Sequence, residues 1–78
     1  MSEVLMSDLI IGDKALVKDF KNEDLSIKLL EMGCLPGVEV EVMHFAPFGD
    51  PIAVKVSGYT LSMRRQEASD IIVERLNK

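Results

Sequence analysis

The chain has 78 residues, 47% hydrophobic and 28% charged. That composition suits a single small domain over residues 1–78 and argues against disorder. A net charge of -4 leaves no basic footprint for nucleic acid, and the single cysteine, Cys34, excludes an internal disulfide framework or a four-thiolate zinc site.

Met1 to Ile11 is an apolar-rich lead-in, in which Ser7-Asp8 can cap one short helical turn before Gly12-Asp13 punctuates the chain. Its acidic start does not resemble a secretory signal, and no apolar run approaches the ~20 residues of a membrane helix. The expectation is a cytoplasmic protein with no membrane insertion of its own. Lys14 to Phe20 alternates, with Ala15 and Val17 opposed to Lys14, Leu16 and Lys18, and is predicted as a strand. Asn22 to Met32 is the one clear helix. Asn22 is its N-cap, Glu23 and Asp24 favour the positive end of the dipole, and Leu25, Leu29 and Met32 recur at helical spacing. Gly33 follows where a left-handed residue ends helices, with Cys34 and Leu29 as the apolar pair of a Schellman cap.

Pro36-Gly37 suits the centre of a type II turn. Val38 to Ala46 then reads with period two: Val38, Val40, Val42 and His44 on one face, Glu39, Glu41, Met43 and Phe45 on the other. Pro47-Phe48-Gly49-Asp50-Pro51 is a loop by composition. Ile52 to Val56, the turn Ser57-Gly58 and Tyr59 to Met63 form a hairpin. Gln66 to Asp70 fits one helical turn, Ile71 to Val73 a last short strand, and Glu74 to Lys78 a polar tail. About five short strands with hairpin spacing and one helix suggest a mainly-β compact barrel, with the helix between the first and second strands.

Chemistry finds little purchase on this chain. A transition-metal site needs three or four ligands, and Cys34 and His44 cannot complete one in a single chain; a surface site shared between chains would add Asp50 or Glu41. Cys34 reads as a small buried hydrophobe at the helix cap, and His44 as a partly buried or edge histidine. No Ser, His and Asp arrangement stands out, and no phosphate-binding glycine loop is present, so the chain is not read as an enzyme. Surface features remain. Phe48 at the tip of a Pro/Gly loop is either folded over the core or offered to a partner, and composition leans toward the first. Arg64-Arg65 is a solvated pair balancing Glu67 and Asp70, or a patch for an acidic partner or an anionic membrane surface.

Four segments, in order, resemble the FeoA family of ferrous iron transport A proteins. They are Leu9-x-x-Gly12-Asp13; Lys28-Leu29-Leu30-Glu31-Met32-Gly33 followed by Pro36-Gly37; Pro47-Phe48-Gly49-Asp50-Pro51; and Leu61-Ser62-Met63-Arg64-Arg65-Gln66-Glu67-Ala68. Cys34 stands where that pattern usually has a bulky apolar residue, and Met63 where Leu is common. The resemblance implies an SH3-like β-barrel and a small cytoplasmic accessory of FeoB, a membrane GTPase that carries Fe(II). On that reading the chain acts by contact, through an apolar patch at Phe48 and the Leu35-Pro36 turn, rimmed by Arg64 and Arg65. The alternative is a metal-binding or metal-sensing domain, as at the end of diphtheria-toxin-repressor-type regulators. It would take weak Fe(II) or Zn(II) at Cys34, His44 and Asp50. An open barrel edge at Val38 to Met43 would permit a homo-oligomer.

Overall fold

Asn22 caps the main helix as its side chain requires: its Oδ1 accepts the Leu25 N–H at 3.2 Å. This helix, α1, runs Glu23–Glu31 in the computed structural model, which describes residues 3–76. Its exit is a Schellman motif. The Cys34 N–H donates to Leu29 O at 2.9 Å and the Gly33 N–H to Leu30 O at 3.1 Å. Gly33 sits at φ +84, where a β-carbon would strain the backbone. Leu29 and Cys34 are both buried. The next turn closes with Val38 N–H to Leu35 O at 3.1 Å, with Gly37 at φ +92 as a type II turn demands. The Gly37 N–H then reaches Val17 O at 2.7 Å and fastens this turn to the preceding strand.

The strands are β1 Glu3–Leu5, β2 Lys14–Phe20, β3 Glu39–Phe45, β4 Ile52–Val56, β5 Tyr59–Met63 and β6 Ile71–Arg75. They form one antiparallel sheet in the order β1-β6-β2-β3-β4-β5. A single 3-10 turn covers Met6–Asp8, and a second short helix, α2, covers Arg65–Ala68. A flat sheet with one covering layer is only about 10 Å deep. The molecule measures 28 × 27 × 22 Å, so the sheet is folded on itself around its core.

Two bulges at equivalent places accomplish that fold. β2 and β3 each have seven residues, with the same burial sequence, and each ends in a half-buried phenylalanine. In β2 the pairing to β6 slips between Val17 and Asp19, so that Phe20 lies opposite Ile71. In β3 the pairing to β4 slips between Val42 and His44, so that Phe45 lies opposite Ile52. A bulge inserts one residue, bends its strand and exchanges the faces beyond it. The period-two expectation for β3 therefore fails after Val42. His44 is exposed, off the valine face, and Phe45 packs against the core in its place.

Other expectations are also corrected. The lead-in contributes the additional strand β1, which places α1 between β2 and β3. The short turn after it begins at Met6 and contains Ser7 and Asp8; Asp8 closes it by accepting the Leu5 N–H at 3.3 Å. The predicted polar tail is strand as far as Arg75, with Glu74 opposite both Glu3 and Leu16. Met1, Ser2 and the last two residues of that tail lie outside the described residues. Val38–Met43 is no edge, because β3 is flanked by β2 and β4.

Candidate partner-binding site

The loop between β3 and β4 is built locally and then held from outside. Ala46 N–H donates to Pro51 O at 3.0 Å, and Gly49 N–H to Ala46 O at 2.7 Å, which makes a tight turn with Phe48 at its tip. Arg65, the first residue of α2, clamps it. Its backbone N–H donates to Asp50 Oδ1 at 3.0 Å, its Nε to Gly49 O at 3.0 Å and one terminal nitrogen to Ser7 O at 3.1 Å. The guanidinium carbon lies 5.2 Å from the centre of the Phe45 ring, within range of a cation–π contact. One side chain thus joins the loop, the 3-10 turn and the end of β3.

Phe48 itself is 99% exposed. The expectation that it folds over the core is overturned, and the reason is geometric. Beyond the bulge Phe45 packs against the core, and the Arg65 bonds fix the loop at Gly49 and Asp50 with Phe48 outside. Ile10 and Ile11, 65% and 58% exposed, turn out at the same end of β3. They are brought there by the bonds Gly12 N–H to Val42 O at 2.9 Å and Val42 N–H to Asp13 O at 3.0 Å. Met43, the residue skipped in the pairing between Val42 and His44, is also exposed. Sequence reasoning passed over these three. The signal was present in Ile10-Ile11, two branched apolar residues where a turn before Gly12 would ordinarily be polar.

The predicted site residues do not all converge. Leu35 and Pro36 are exposed, but they precede β3 whereas Phe48 follows it, and a seven-residue strand spans about 20 Å. Arg64 lines a shallow hollow with Asp50 and Pro51, and its backbone N–H donates to Glu67 Oε1 at 3.0 Å. Arg65, also exposed, is the residue that clamps the loop.

The metal candidates were tested in the same way. Cys34 is fully buried, and burial pushes its thiol up. His44 faces solvent, and Asp50 is taken up by Arg65. Among the described residues no three His, Cys, Asp or Glu side chains group as a metal site would require. Among the described residues, Cys34, His44 and Asp50 do not gather into a site for a resident metal ion. No described helix is long and apolar enough to cross a membrane.

Comparison with known proteins places this geometry in a family. Residues 4–75 match the model of the FeoA domain. A relative from Porphyromonas gingivalis, an Fe(2+) transport protein A/Fe(2+) transporter FeoB fusion protein, is 34% identical over 70 residues. The match covers 88% of this chain but only 8% of that protein. The solution structure of an FeoA-like protein from Clostridium acetobutylicum is similar at a TM-score of 0.91 with 35% identity, covering 100% of this chain and 92% of that one. The zinc-complexed crystal structure of Stenotrophomonas maltophilia FeoA, described as a procaryotic SH3 domain protein, is similar at a TM-score of 0.78 with 26% identity, covering 91% and 89%. The folded-over six-stranded sheet seen here is that SH3-like fold.

Proposed function

The chain belongs to the FeoA family of ferrous iron transport accessories, and on that premise we propose that it works in the cytoplasm by docking on an FeoB-type membrane GTPase. The observation that carries this reading is the pose of Phe48: a whole aromatic ring held in solvent on a loop that Arg65 fastens at two points. Exposing such a ring is unfavourable for an isolated molecule, and fixing its loop lowers the ordering cost of a contact. Ile10, Ile11 and Met43 are further exposed apolar residues, and Arg64 lies beside Asp50 and Pro51 of the same loop. The fusion relative supports the choice of partner, since a covalent union keeps the two modules at high effective concentration. The module acts by contact and not by catalysis.

The test is retention of a detergent-solubilised FeoB-type GTPase on the immobilised chain. The wild-type chain retains it and Phe48→Asp does not; equal retention by both would sink the proposal. A metal-binding role, as the zinc-complexed relative suggests, would need ligands from more than one chain, because those within this one do not gather.

A further inference from the structure

α1 is apolar on two sides. Leu25 and Leu29, 8% and 3% exposed, face the core. Ile27 falls about 160° from both at the helical rotation of about 100° per residue, and it is 55% exposed. Leu30, three residues on, shares that outer side and is 44% exposed. Glu23 and Glu31 stand four residues before and after Ile27, so one outer column reads acid, isoleucine, acid. A surface helix ordinarily turns polar residues outward. Past the helix, Met32 and Leu35 are exposed too. Tyr59 lies against this exit, where a β-carbon on Gly33 would come 3.3 Å from its hydroxyl. Five of the nine large apolar side chains exposed among the described residues thus belong to α1, its exit and the Tyr59 ring, against one on the Phe48 loop.

We propose that the outer face of α1 receives an amphipathic helix of a protein partner, one that carries Lys or Arg on either side of its apolar stripe. The charges on α1 set that sign. Its one cation, Lys28, is bonded to Glu67, with Nζ 2.8 Å from Oε2. Glu23, Asp24 and Glu31 make no ion pair among the described residues. Lys21, exposed ahead of the Asn22 cap, is the one cation left along this stretch, and three unpaired carboxylates outnumber it. A partner helix that seats apolar residues on Ile27 and Leu30 brings cations four residues to either side onto Glu23 and Glu31. Such rim pairs fix orientation and speed the encounter, while the apolar contact supplies the affinity. A second copy of this face is disfavoured in either orientation: parallel or antiparallel, Glu23 and Glu31 meet carboxylates, and each chain carries a net charge of -4. An anionic lipid surface meets the same carboxylates. Leu35 precedes β3 whereas Phe48 follows it, so this contact neither uses the Phe48 loop nor rests on the function assigned to it.

Calorimetric titration of the full chain tests it, with a helical peptide of about 18 residues that sets leucines along one stripe and lysines elsewhere. The peptide binds with a Kd below about 1 mM, and its affinity falls as salt rises. The same peptide with glutamate in place of lysine does not bind. Ile27→Gln with Leu30→Gln puts good helix formers at two exposed positions, so the thermal melt stays close to wild type while the Kd rises about tenfold or more. Glu23→Gln with Glu31→Gln leaves the apolar contact in place, weakens the lysine peptide several-fold and flattens its salt dependence. Equal binding of the two peptides, or a lysine peptide indifferent to both double variants, overturns the proposal. So does the lack of any binding at about 1 mM peptide. A dimer of the chain alone, or adsorption to phosphatidylcholine vesicles, would assign the face to another occupant if Ile27→Gln with Leu30→Gln abolished it, and would overturn the proposal equally.

Discussion

The Nε of Arg65 stands 3.0 Å from the carbonyl oxygen of Gly49, so the first residue of α2 holds the loop that presents Phe48. The two residues are 16 positions apart, and the same guanidinium reaches Ser7, 58 positions away. A planar fork with several fixed donors can serve two carbonyls at once, and its face can still rest on the Phe45 ring. The position of α2 and the shape of the loop therefore depend on the same side chain.

Arg65→Ala removes both carbonyl contacts and the ring contact. Exposed hydrogen bonds from a charged donor contribute about 1–2 kcal/mol in total here, and the urea midpoint falls accordingly. Arg65→Lys recovers little of this, because one ammonium cannot span Gly49 and Ser7 in the same geometry. Full rescue by lysine would show that charge alone holds the loop.

Features spanning a few residues were legible in the sequence. The Asn22 cap, the Leu29–Cys34 helix exit and the Leu35–Val38 turn each close within six residues, so residue type alone specifies them. The two bulges were not legible, because a slip in pairing belongs to two strands. Val42 lies opposite Val54 and His44 opposite Ala53, and nothing in Val42-Met43-His44 announces the residue skipped between them. β1 was missed for a related reason: three residues become a strand only when β6 lies beside them. In the candidate site, Phe48 was singled out but its pose was not foreseen. Arg64 and Arg65 look alike in sequence and both are exposed, and only tertiary structure shows that Arg65 is the one bonded to the loop.

Gly33 carries two constraints that can be measured separately. At φ +84 any side chain is strained, and a β-carbon would also come 3.3 Å from the Tyr59 hydroxyl. Gly33→Ala therefore costs the left-handed penalty of about 1–2 kcal/mol plus the displacement of Tyr59. Gly12→Ala, at φ +92 with nothing within 4 Å, costs the backbone penalty only. Tyr59→Phe removes the crowded oxygen, so Gly33→Ala is milder in that background. Equal losses at Gly33 and Gly12 would rule out the Tyr59 contribution.

Lys28 and Glu67 tie α1 to α2, with Nζ 2.8 Å from Oε2. That bond first, and the Arg64 N–H second, hold the Glu67 carboxyl below its ordinary 4.5. A folded-state value lower than the unfolded one adds stability that is fully present above the unfolded value and lost as pH falls through the folded one. Glu67→Gln should be less stable than wild type at pH 7 by roughly 0.2–1 kcal/mol, the range for an exposed pair. The two unfolding curves then converge once pH falls below the lowered folded-state value, where the carboxylate is protonated in both states. A gap that persists at low pH would assign the loss to packing.

Cys34 is a test of the helix exit. Its side chain is fully buried, burial pushes the thiol up, and its backbone N–H closes the Schellman motif. The native protein resists alkylation at pH 8 and reacts at the rate at which it unfolds. Cys34→Ala leaves a small cavity costing about 1 kcal/mol, and Cys34→Ser costs about 1–3 kcal/mol because its hydroxyl enters an apolar core. Rapid modification of the folded chain would contradict this placement.

Phe48 and Phe45 give opposite responses to substitution, although only two residues separate them. Phe48 is 99% exposed, so the folded state buries almost none of its ring. Phe48→Asp changes unfolding free energy by no more than about 0.5 kcal/mol, as for other surface substitutions, while retention of the FeoB-type GTPase is lost. Phe45 packs against the core and lies beneath Arg65. Phe45→Ala costs about 3 kcal/mol and loosens the loop, so it weakens retention only through folding. Thermal melts alongside the retention assay separate the two cases. A Phe48→Asp chain that melts well below wild type would mean that the ring is covered in solution, and the contact surface would then have to be sought elsewhere.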